Sequence, residues 1–252
     1  MEKISLRRKC PICKCCEGEE IYHLKMMLPR EYQLPEYYNI VSCKECGFCF
    51  ADTYATEQDY AFYYENSNYY SQKPQTSDYE NILNKWIALF ASVSKDKIIL
   101  DMGFGNGELL VKLKNNGFVN LCGIDTSREG VELLRKQNID ARFGSIYDSV
   151  PTDLENKVDI MIMSGVFEHL LEPADALLKA RAYLNDNGML ICLVPNMDNL
   201  AKTSLSLSYF FHHEHINYFT YHSLINFMQL GGFKEKKIYD RFDEYENLVS
   251  IF

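Results

Sequence analysis

The sequence has no long run of apolar residues and no excess of positive charge. None of its apolar segments reaches membrane-spanning length, and residues 1–8 lack the apolar core of a secretory signal. Lys and Arg total 26 against 35 Asp and Glu, which gives a formal net charge of −9. Because nucleic-acid binding depends on cations that neutralise phosphates, we expect a small-molecule partner, no nucleic acid, no membrane and a cytoplasmic location.

Cysteine is scarce over most of the chain but crowded near its start, and only Cys122 and Cys192 follow residue 49. In a reducing compartment, paired C-x-x-C sequences favour metal ligation over disulfides, and four thiolates complete a tetrahedral structural zinc site. The predicted ligands are Cys10, Cys13, Cys43 and Cys46. Further cysteines that are spare candidates are Cys15, Cys16 and Cys49. The alternative is that reduced cysteines pack as small apolar side chains.

One loop has glycine at every second position and directly follows an apolar strand, within residues 98–108. Its glycines, which let the backbone turn sharply and a ligand approach its N–H groups, are Gly103, Gly105 and Gly107. The third glycine comes one residue too early for the G-x-G-x-x-G dinucleotide motif. Asp101 and Glu108 flank the loop, and two carboxylates suit a cationic ligand better than a pyrophosphate.

Four further segments follow this loop in an order typical of one enzyme family. Residues 121–125 form a predicted second strand that ends in an acid, where a carboxylate can accept hydrogen bonds from ribose hydroxyls. Residues 144–148 follow a third short strand, and the apolar run 158–163 leads into residues 164–169. From about residue 96 onward, the chain therefore resembles the class I S-adenosylmethionine-dependent methyltransferases. The alternative is a doubly wound fold that uses another nucleotide.

The resemblance implies a site for S-adenosylmethionine, which becomes S-adenosylhomocysteine after methyl transfer. It implies that Asp101 lies at the methionine end of the cofactor and Asp125 at its ribose. The segment after the third strand contacts adenine in this family, and the loop after the fourth strand lies beside the methionine part. The implied cofactor contacts are Asp101, Gly103, Phe104, Gly105, Gly107, Asp125, Thr126, Ser145, Ile146, Ser164, Gly165, Val166 and His169.

Strands and helices alternate from residue 96 onward, which specifies a mostly parallel sheet with helices on both faces. We therefore predict an α/β protein with a Rossmann-like, seven-stranded methyltransferase sheet and a small N-terminal zinc-knuckle domain. The expected divisions are a zinc-binding domain at 1–52, an aromatic lid and connecting helix at 53–95, and the cofactor-binding domain at 96–252. Residues 185–188, Asn-Asp-Asn-Gly, are expected to turn the chain into a strand at 189–194.

The connecting segment 54–70 is unusually aromatic. Tyrosine combines a large contact area with a polar tip, so this segment is either a lid over cofactor and acceptor or packing between the domains. Its aromatic residues are Tyr54, Tyr60, Phe62, Tyr63, Tyr64, Tyr69 and Tyr70.

Three of the six histidines lie within four residues, together with one glutamate. In a doubly wound fold this segment lies near the carboxyl ends of the central strands. Histidine can take the proton that a hydroxyl acceptor loses, and an adjacent glutamate can orient an imidazole. The predicted catalytic residues are His212, His213, Glu214 and His215. The alternative is a packing element ahead of a helix at 221–230.

A cysteine-knuckle pair ahead of a methyltransferase domain is similar to a branch that includes C-methyltransferases of nucleotide-linked deoxysugars. Glu214-His215 matches a Glu-His pair at their catalytic centre, but His212 stands where they have a tyrosine, and they carry a further C-terminal domain. We therefore expect O-methylation of a nucleotide-linked sugar or related surface-glycan precursor. The alternatives are C-methylation of a nucleotide-linked keto-sugar and a non-catalytic cofactor-binding protein that acts through its zinc site.

Overall fold

The computed structural model describes residues 3–25, 34–66, 77–200, 207–243, 245 and 247–252, so Tyr69 and Tyr70 lie outside the described residues. The strands are β1 (Lys3–Ser5), β2 (Glu17–Lys25), β3 (Tyr37–Cys43), β4 (Cys49–Asp52), β5 (Ile98–Met102), β6 (Asn120–Asp125), β7 (Asp140–Phe143), β8 (Val158–Ser164), β9 (Leu184–Val194), β10 (Asn217–Tyr218), β11 (Lys237–Tyr239) and β12 (Leu248–Ile251). The helices are α1 (Glu57–Asn66), α2 (Ser77–Leu89), α3 (Glu108–Asn115), α4 (Arg128–Lys136), α5 (Pro173–Tyr183), α6 (Leu207–Phe210) and α7 (Tyr221–Leu230).

The larger sheet has seven strands in the order β11-β12-β9-β8-β5-β6-β7. The five strands from β9 to β7 are parallel to their neighbours, whereas β12 runs antiparallel to both β9 and β11. This arrangement confirms the predicted α/β class and the seven-stranded methyltransferase sheet. None of the described helices is both long and apolar enough to cross a bilayer.

The central strands β5 and β8 are mostly apolar because helices cover both faces of the sheet. Ile99 and Leu100 of β5 and Met161 and Ile162 of β8 are fully buried. In a parallel sheet the carboxyl ends of neighbouring strands meet at one edge. The loops after β5, β6 and β8, which carry most of the predicted cofactor contacts, therefore lie together at that edge.

The smaller sheet is antiparallel, with the order β1-β2-β3-β4-β10. Four of its strands come from the cysteine-rich first fifty-two residues, and the fifth, β10, follows the histidine segment. Phe50 of β4 pairs with Asn217 of β10, and Cys49 pairs with Tyr218. The cysteine-rich region is therefore joined by strand pairing to the segment that carries the predicted catalytic histidines.

The predicted turn at residues 185–188 is wrong, because β9 begins at Leu184 and includes these residues. Leu184 pairs with Val158 of β8, and the register shifts between Val158 and Ile160. A Cβ at Gly188 would lie 2.9 Å from the Val158 carbonyl oxygen. The turn-forming sequence is thus accommodated as an irregular extension of the strand, because glycine permits close approach to β8.

Replacing Gly107 with alanine is expected to destabilise the fold by about 2–4 kcal/mol. Gly107 has φ +73°, and a Cβ there would lie 2.4 Å from Leu134 Cγ on α4. Gly117→Ala is a matched control, since Gly117 has φ +90° but nothing within 4 Å of its Cβ position. Urea unfolding of both variants separates the clash from the backbone strain. Equal losses of unfolding free energy would contradict the packing role of Gly107.

Candidate functional site

The glycine loop leaves β5 and enters α3 with three left-handed residues, at φ +76°, +59° and +73° for Gly103, Gly105 and Gly107. Two hydrogen bonds from its backbone N–H groups hold it against β6. The Gly103 N–H donates to the Ile124 carbonyl at 2.8 Å, and the Gly105 N–H donates to Asp125 Oδ2 at 2.8 Å. The loop therefore has a fixed shape, and its glycines, which carry no Cβ, let a ligand approach the backbone N–H groups closely.

Asp101 lies in β5 just before this loop, and the residue is 3% exposed. No hydrogen-bond partner for its Oδ1 lies among the described residues. Burial, with Coulombic repulsion from Asp125, raises the pKa of Asp101 to about 8. A buried carboxyl oxygen without a partner is costly unless a ligand satisfies it. The open glycine loop and this carboxyl together fit the cationic methionine end of S-adenosylmethionine.

The affinity for S-adenosylmethionine is expected to rise with pH between about 6.5 and 8. A bound cation favours the carboxylate of Asp101, whose pKa in the free protein is raised to about 8, so binding releases a proton below that pH. The dissociation constant then falls by up to roughly tenfold per pH unit. Calorimetry across this range, in buffers of different ionisation enthalpy, measures the release. Asp101→Asn should bind more weakly and without this pH dependence; an unchanged pH profile would contradict the assignment.

Asp125, at the end of β6, is 5% exposed and links the glycine loop to the next helix. Its Oδ1 accepts the Ser127 N–H at 2.7 Å, while its Oδ2 accepts the Gly105 N–H. Burial raises the pKa of Asp125, although three backbone N–H groups oppose the shift. Each carboxylate oxygen has a second lone pair, so the predicted contact with ribose hydroxyls is compatible with these bonds. Thr126 lies exposed beside it.

The other predicted cofactor residues divide into packing positions and positions at the open edge. The Phe104 ring packs on Gly123, and Gly107 packs on Leu134. Ile146 is buried, and the Ser145 N–H donates to Asp148 Oδ2 at 2.8 Å. Partly exposed positions at the end of β8 and just after it are Ser164, Gly165 and Val166. Val166 Cγ2 would lie only 2.8 Å from a Cβ at Gly103, so the two loops are in contact.

The structure brings His169 to the predicted catalytic segment, which sequence reasoning did not foresee. His169 Nδ1 lies 3.0 Å from the Glu214 carbonyl oxygen, and the His169 and His215 ring centroids are 5.0 Å apart. A carbonyl only accepts, so Nδ1 carries the proton in this contact and Nε2 has the lone pair. That Nε2 faces Glu168 Oε1 at 3.9 Å.

Glu168 is a second buried carboxyl that the sequence analysis missed. It is 2% exposed, and its Oε2 has no hydrogen-bond partner among the described residues. Burial raises its pKa to about 8. The signal in the sequence was an acid directly before a histidine in the loop after β8. Burial of this acid depends on packing against β10, which is distant in sequence, so neighbouring residues do not reveal it.

Tyrosines from β3 and α1 contact every residue from 212 to 214. The Tyr38 hydroxyl donates to the His212 carbonyl at 2.6 Å and the Tyr60 hydroxyl to the His213 carbonyl at 3.1 Å. The Tyr63 hydroxyl donates to Glu214 Oε1. Tyr60 and Tyr63 of the aromatic segment therefore pack around the histidine segment, together with Tyr38 of β3. Tyr54 and Phe62 are instead exposed.

Burial and charge give the members of this cluster different protonation states. Burial, together with neighbouring histidines, lowers the pKa of both His212 and His215 to about 3, so these rings are neutral at neutral pH. Burial alone would raise the pKa of Glu214, but the nearby imidazoles of His213 and His169 and the Tyr63 hydroxyl lower it to about 2. His213 Nε2 lies 3.3 Å from Glu214 Oε1. An ionised Glu214 therefore faces the imidazole of His213.

Cys10, Cys13, Cys43 and Cys46 converge at one point, with their sulfur atoms all within 4.8 Å of one another. The shortest separations are 3.4 Å between Cys13 and Cys43 and 3.6 Å between Cys10 and Cys46. Tetrahedral zinc with bonds near 2.3 Å requires sulfur separations of roughly 3.8 Å, so the four thiols fit the ion.

Both cysteine knuckles have the same backbone turn. The Lys14 N–H donates to the Cys10 carbonyl and the Gly47 N–H to the Cys43 carbonyl, both at 2.9 Å. The residue after the second cysteine is left-handed in each, at φ +62° for Lys14 and +71° for Gly47. The three spare cysteines lie outside the cluster of four, and Cys122 and Cys192 are buried in β6 and β9.

Comparison with known proteins places a family match over most of the chain. A methyltransferase-domain family model matches residues 76–235. EEF1A lysine methyltransferase 2 of Danio rerio is 32% identical over 113 residues, which are 40% of this chain and 48% of that protein. An uncharacterized methyltransferase of Schizosaccharomyces pombe is 28% identical over 124 residues, which are 48% of this chain and 48% of that protein. The chain thus spans about half the length of these relatives.

The fold also matches solved structures. The 1,6-didemethyltoxoflavin-N1-methyltransferase of Burkholderia thailandensis, solved with 1,6-didemethyltoxoflavin and S-adenosylhomocysteine, has a TM-score of 0.60 at 16% identity. The match covers 82% of this chain and 96% of that one. The PH0226 protein of Pyrococcus horikoshii OT3 has a TM-score of 0.57 at 16% identity, over 73% of this chain and 97% of that one. At these identities the likeness establishes the fold alone.

Proposed function

Because the chain belongs to the methyltransferase-domain family of class I S-adenosylmethionine-dependent enzymes, we propose that it methylates a hydroxyl oxygen of a nucleotide-linked sugar or related glycan precursor. One observation carries the proposal. Glu168 and His169 directly continue the loop after β8 at the cofactor edge, and His169 contacts the Glu214 carbonyl. A buried acid–base cluster therefore adjoins the loops that the family uses for its cofactor.

The residues of this chain have three tasks in that reaction. When bound, S-adenosylmethionine supplies an electrophilic methyl group on a sulfonium. Asp101, Asp125 and the glycine loop bind and orient the cofactor, so that the acceptor oxygen meets the methyl carbon in line. The tyrosines around residues 212–214 exclude water, which strengthens electrostatic interactions at the site.

We assign proton acceptance to His213. The acceptor hydroxyl loses a proton as its oxygen bonds to the methyl carbon, and a histidine within hydrogen-bond reach can take it. The ionised Glu214 carboxylate, 3.3 Å from His213 Nε2, stabilises the imidazolium that forms. His212 and His215, whose pKa values burial lowers to about 3, hold protons weakly and are assigned to acceptor orientation.

His213→Gln is expected to reduce turnover by about 10²–10⁴-fold while the affinity for S-adenosylmethionine stays unchanged. His222→Gln is the control, because His222 is an exposed histidine on α7. Turnover of both variants is measured by transfer of labelled methyl groups to an acceptor identified from a panel of nucleotide sugars. Cofactor affinity is measured by calorimetry. Full activity of the His213 variant would reject His213 as the proton acceptor and favour a packing role for the histidine segment.

The sugar acceptor is supported by the likeness of Glu214-His215 and the cysteine knuckles to the sugar-methylating branch. A protein lysine is a second candidate, favoured by the 32% identity to a relative named as a lysine methyltransferase. The two are separated by incubating the protein and labelled cofactor with a panel of nucleotide sugars, keto-sugars included, and with a lysine-rich protein. Label in a small-molecule fraction supports the sugar; label only in protein rejects it.

We also infer that Cys10, Cys13, Cys43 and Cys46 hold a structural zinc ion. Four thiolates fill a tetrahedral shell and leave no position for a substrate. The ion then cross-links the two knuckles that flank β2 and β3. Its role is to stabilise the smaller sheet, whose strand β10 directly follows the histidine segment.

A further inference from the structure

Arg8 is a buried arginine that lies two residues before the first cysteine of the cluster and is 8% exposed. Its guanidinium contacts residues more than 160 positions further along the chain. Nη1 donates to the Ile216 carbonyl at 3.0 Å, and Nη2 donates to the Leu170 carbonyl at 3.2 Å and to Asn217 Oδ1 at 3.0 Å. Nη2 also donates to the Leu171 carbonyl. One side chain thus bridges two segments that are far apart in sequence.

These acceptors directly follow the two parts of the acid–base cluster. Leu170 and Leu171 come after His169, and Ile216 and Asn217 come after His215. The two segments also contact one another, because the Ile216 N–H donates to the Glu168 carbonyl at 2.8 Å. The Asn217 amide donates to the Phe167 carbonyl at 2.8 Å. Arg8 therefore lies at the junction whose geometry sets how His169 meets residues 212–215.

The other end of Arg8 is fixed to the cysteine-rich region. Asp52 Oδ1 accepts the backbone N–H groups of Arg7 and Arg8, both at 2.8 Å. Asp52 ends β4, which pairs with β10. The backbone of Arg8 is therefore anchored to the smaller sheet, and its guanidinium is bound to acceptors beside the histidine cluster.

We propose that Arg8 is a positioning residue, which holds the loop after β8 and the segment before β10 in the one arrangement that brings Glu168, His169 and His215 together. Through Arg8, the cysteine-rich region then sets the geometry of the histidine cluster. A planar guanidinium with several N–H donors can satisfy four oxygens on two segments at once. Lysine has a compact ammonium and cannot match that geometry. The catalytic role of the positioned groups rests on the proposed function, whereas the positioning itself does not.

The test compares Arg8→Met, Arg8→Lys and the control Arg7→Met in the whole 252-residue chain. Arg7 is the exposed neighbour of Arg8, and its side chain lies over the Tyr54 ring. Amide hydrogen exchange is measured at Ile216, which donates to Glu168, and at Gly103, which donates to Ile124 in the cofactor loop. Histidine ring titrations by ¹⁵N NMR and calorimetry with S-adenosylmethionine complete the comparison.

In Arg8→Met we expect exchange at Ile216 to be faster by roughly tenfold or more, with Gly103 unchanged. The ring pKa values of His212 and His215, lowered to about 3 by burial, are expected to rise as water enters. Affinity for S-adenosylmethionine should fall less than it does in Asp125→Ala, because the glycine loop and Asp125 are not touched. Arg8→Lys should be intermediate, and Arg7→Met should match the wild type.

Two results would overturn the proposal. Unchanged Ile216 exchange and histidine titrations in Arg8→Met would show that the segments keep their arrangement without Arg8. Equal changes at Gly103 and Ile216 in both Arg8 variants would show a general loss of stability instead of local positioning. Absence of cofactor binding by the wild type would count against the proposed function alone, since the exchange comparison needs no cofactor.

Discussion

Replacing Asp125 with alanine is expected to weaken S-adenosylmethionine binding by more than about a hundredfold. The carboxylate is the predicted acceptor for two ribose hydroxyls, and hydrogen bonds to a charged group contribute roughly 1.5–3 kcal/mol each. It also anchors the glycine loop through the Gly105 N–H. The variant therefore loses ligand contacts and the fixed shape of the loop together. Calorimetry with S-adenosylmethionine measures the effect.

Asp140→Ala is the matched control for this loss. Asp140 is an exposed aspartate at the start of β7, at the sheet edge opposite the cofactor loops. Circular dichroism and urea unfolding of both variants confirm that the fold is retained. Should Asp125→Ala bind the cofactor as tightly as the wild type, the ribose assignment would have to be abandoned.

Replacing Cys13 with serine is expected to remove zinc from the protein and to lower its thermal stability. Structural zinc sites bind with apparent free energies of about 10–16 kcal/mol, so each of four thiolates supports roughly 3 kcal/mol. Loss of one thiolate, and of its roughly 3 kcal/mol, should thus weaken metal binding by about a hundredfold or more. Elemental analysis of protein purified without added zinc measures the metal, and calorimetric scanning measures the transition.

Cys16→Ser is the control for that variant. Cys13 and Cys16 are both exposed and three residues apart, but only Cys13 belongs to the cluster of four. The control should keep about one equivalent of zinc per chain, as expected for a single four-thiolate site. A wild-type protein that is fully folded without any metal would refute the structural role of the ion.

The sequence was sufficient for the elements that depend on neighbouring residues. The apolar run into a glycine-rich loop predicted β5 and its exit, and four cysteines at knuckle spacing predicted the cluster that the structure assembles. Helix α7 has the predicted bounds, with Thr220 and Ser223 forming its capping box. These features are local, since strand, turn and cap are determined within a few residues.

The features that the sequence did not reveal depend on contacts between distant segments. Pairing of β4 with β10 places Arg8 beside Leu170 and Ile216, and no local pattern signals that contact. The convergence of His169 with Glu214 arises from the same packing. At Asn185 the turn residues were misleading, because strand pairing with β8 overrode their local preference.

The central claim is that the edge formed by Asp101, the glycine loop and Asp125 binds S-adenosylmethionine. Equilibrium dialysis of the purified protein against labelled S-adenosylmethionine, S-adenosylhomocysteine and NAD⁺ tests it directly. We expect saturable binding of the first two at one site per chain and no binding of NAD⁺, because the spacing of the glycines and the flanking carboxylates disfavour a pyrophosphate. Binding of NAD⁺ alone, or of none of the three, would contradict the claim.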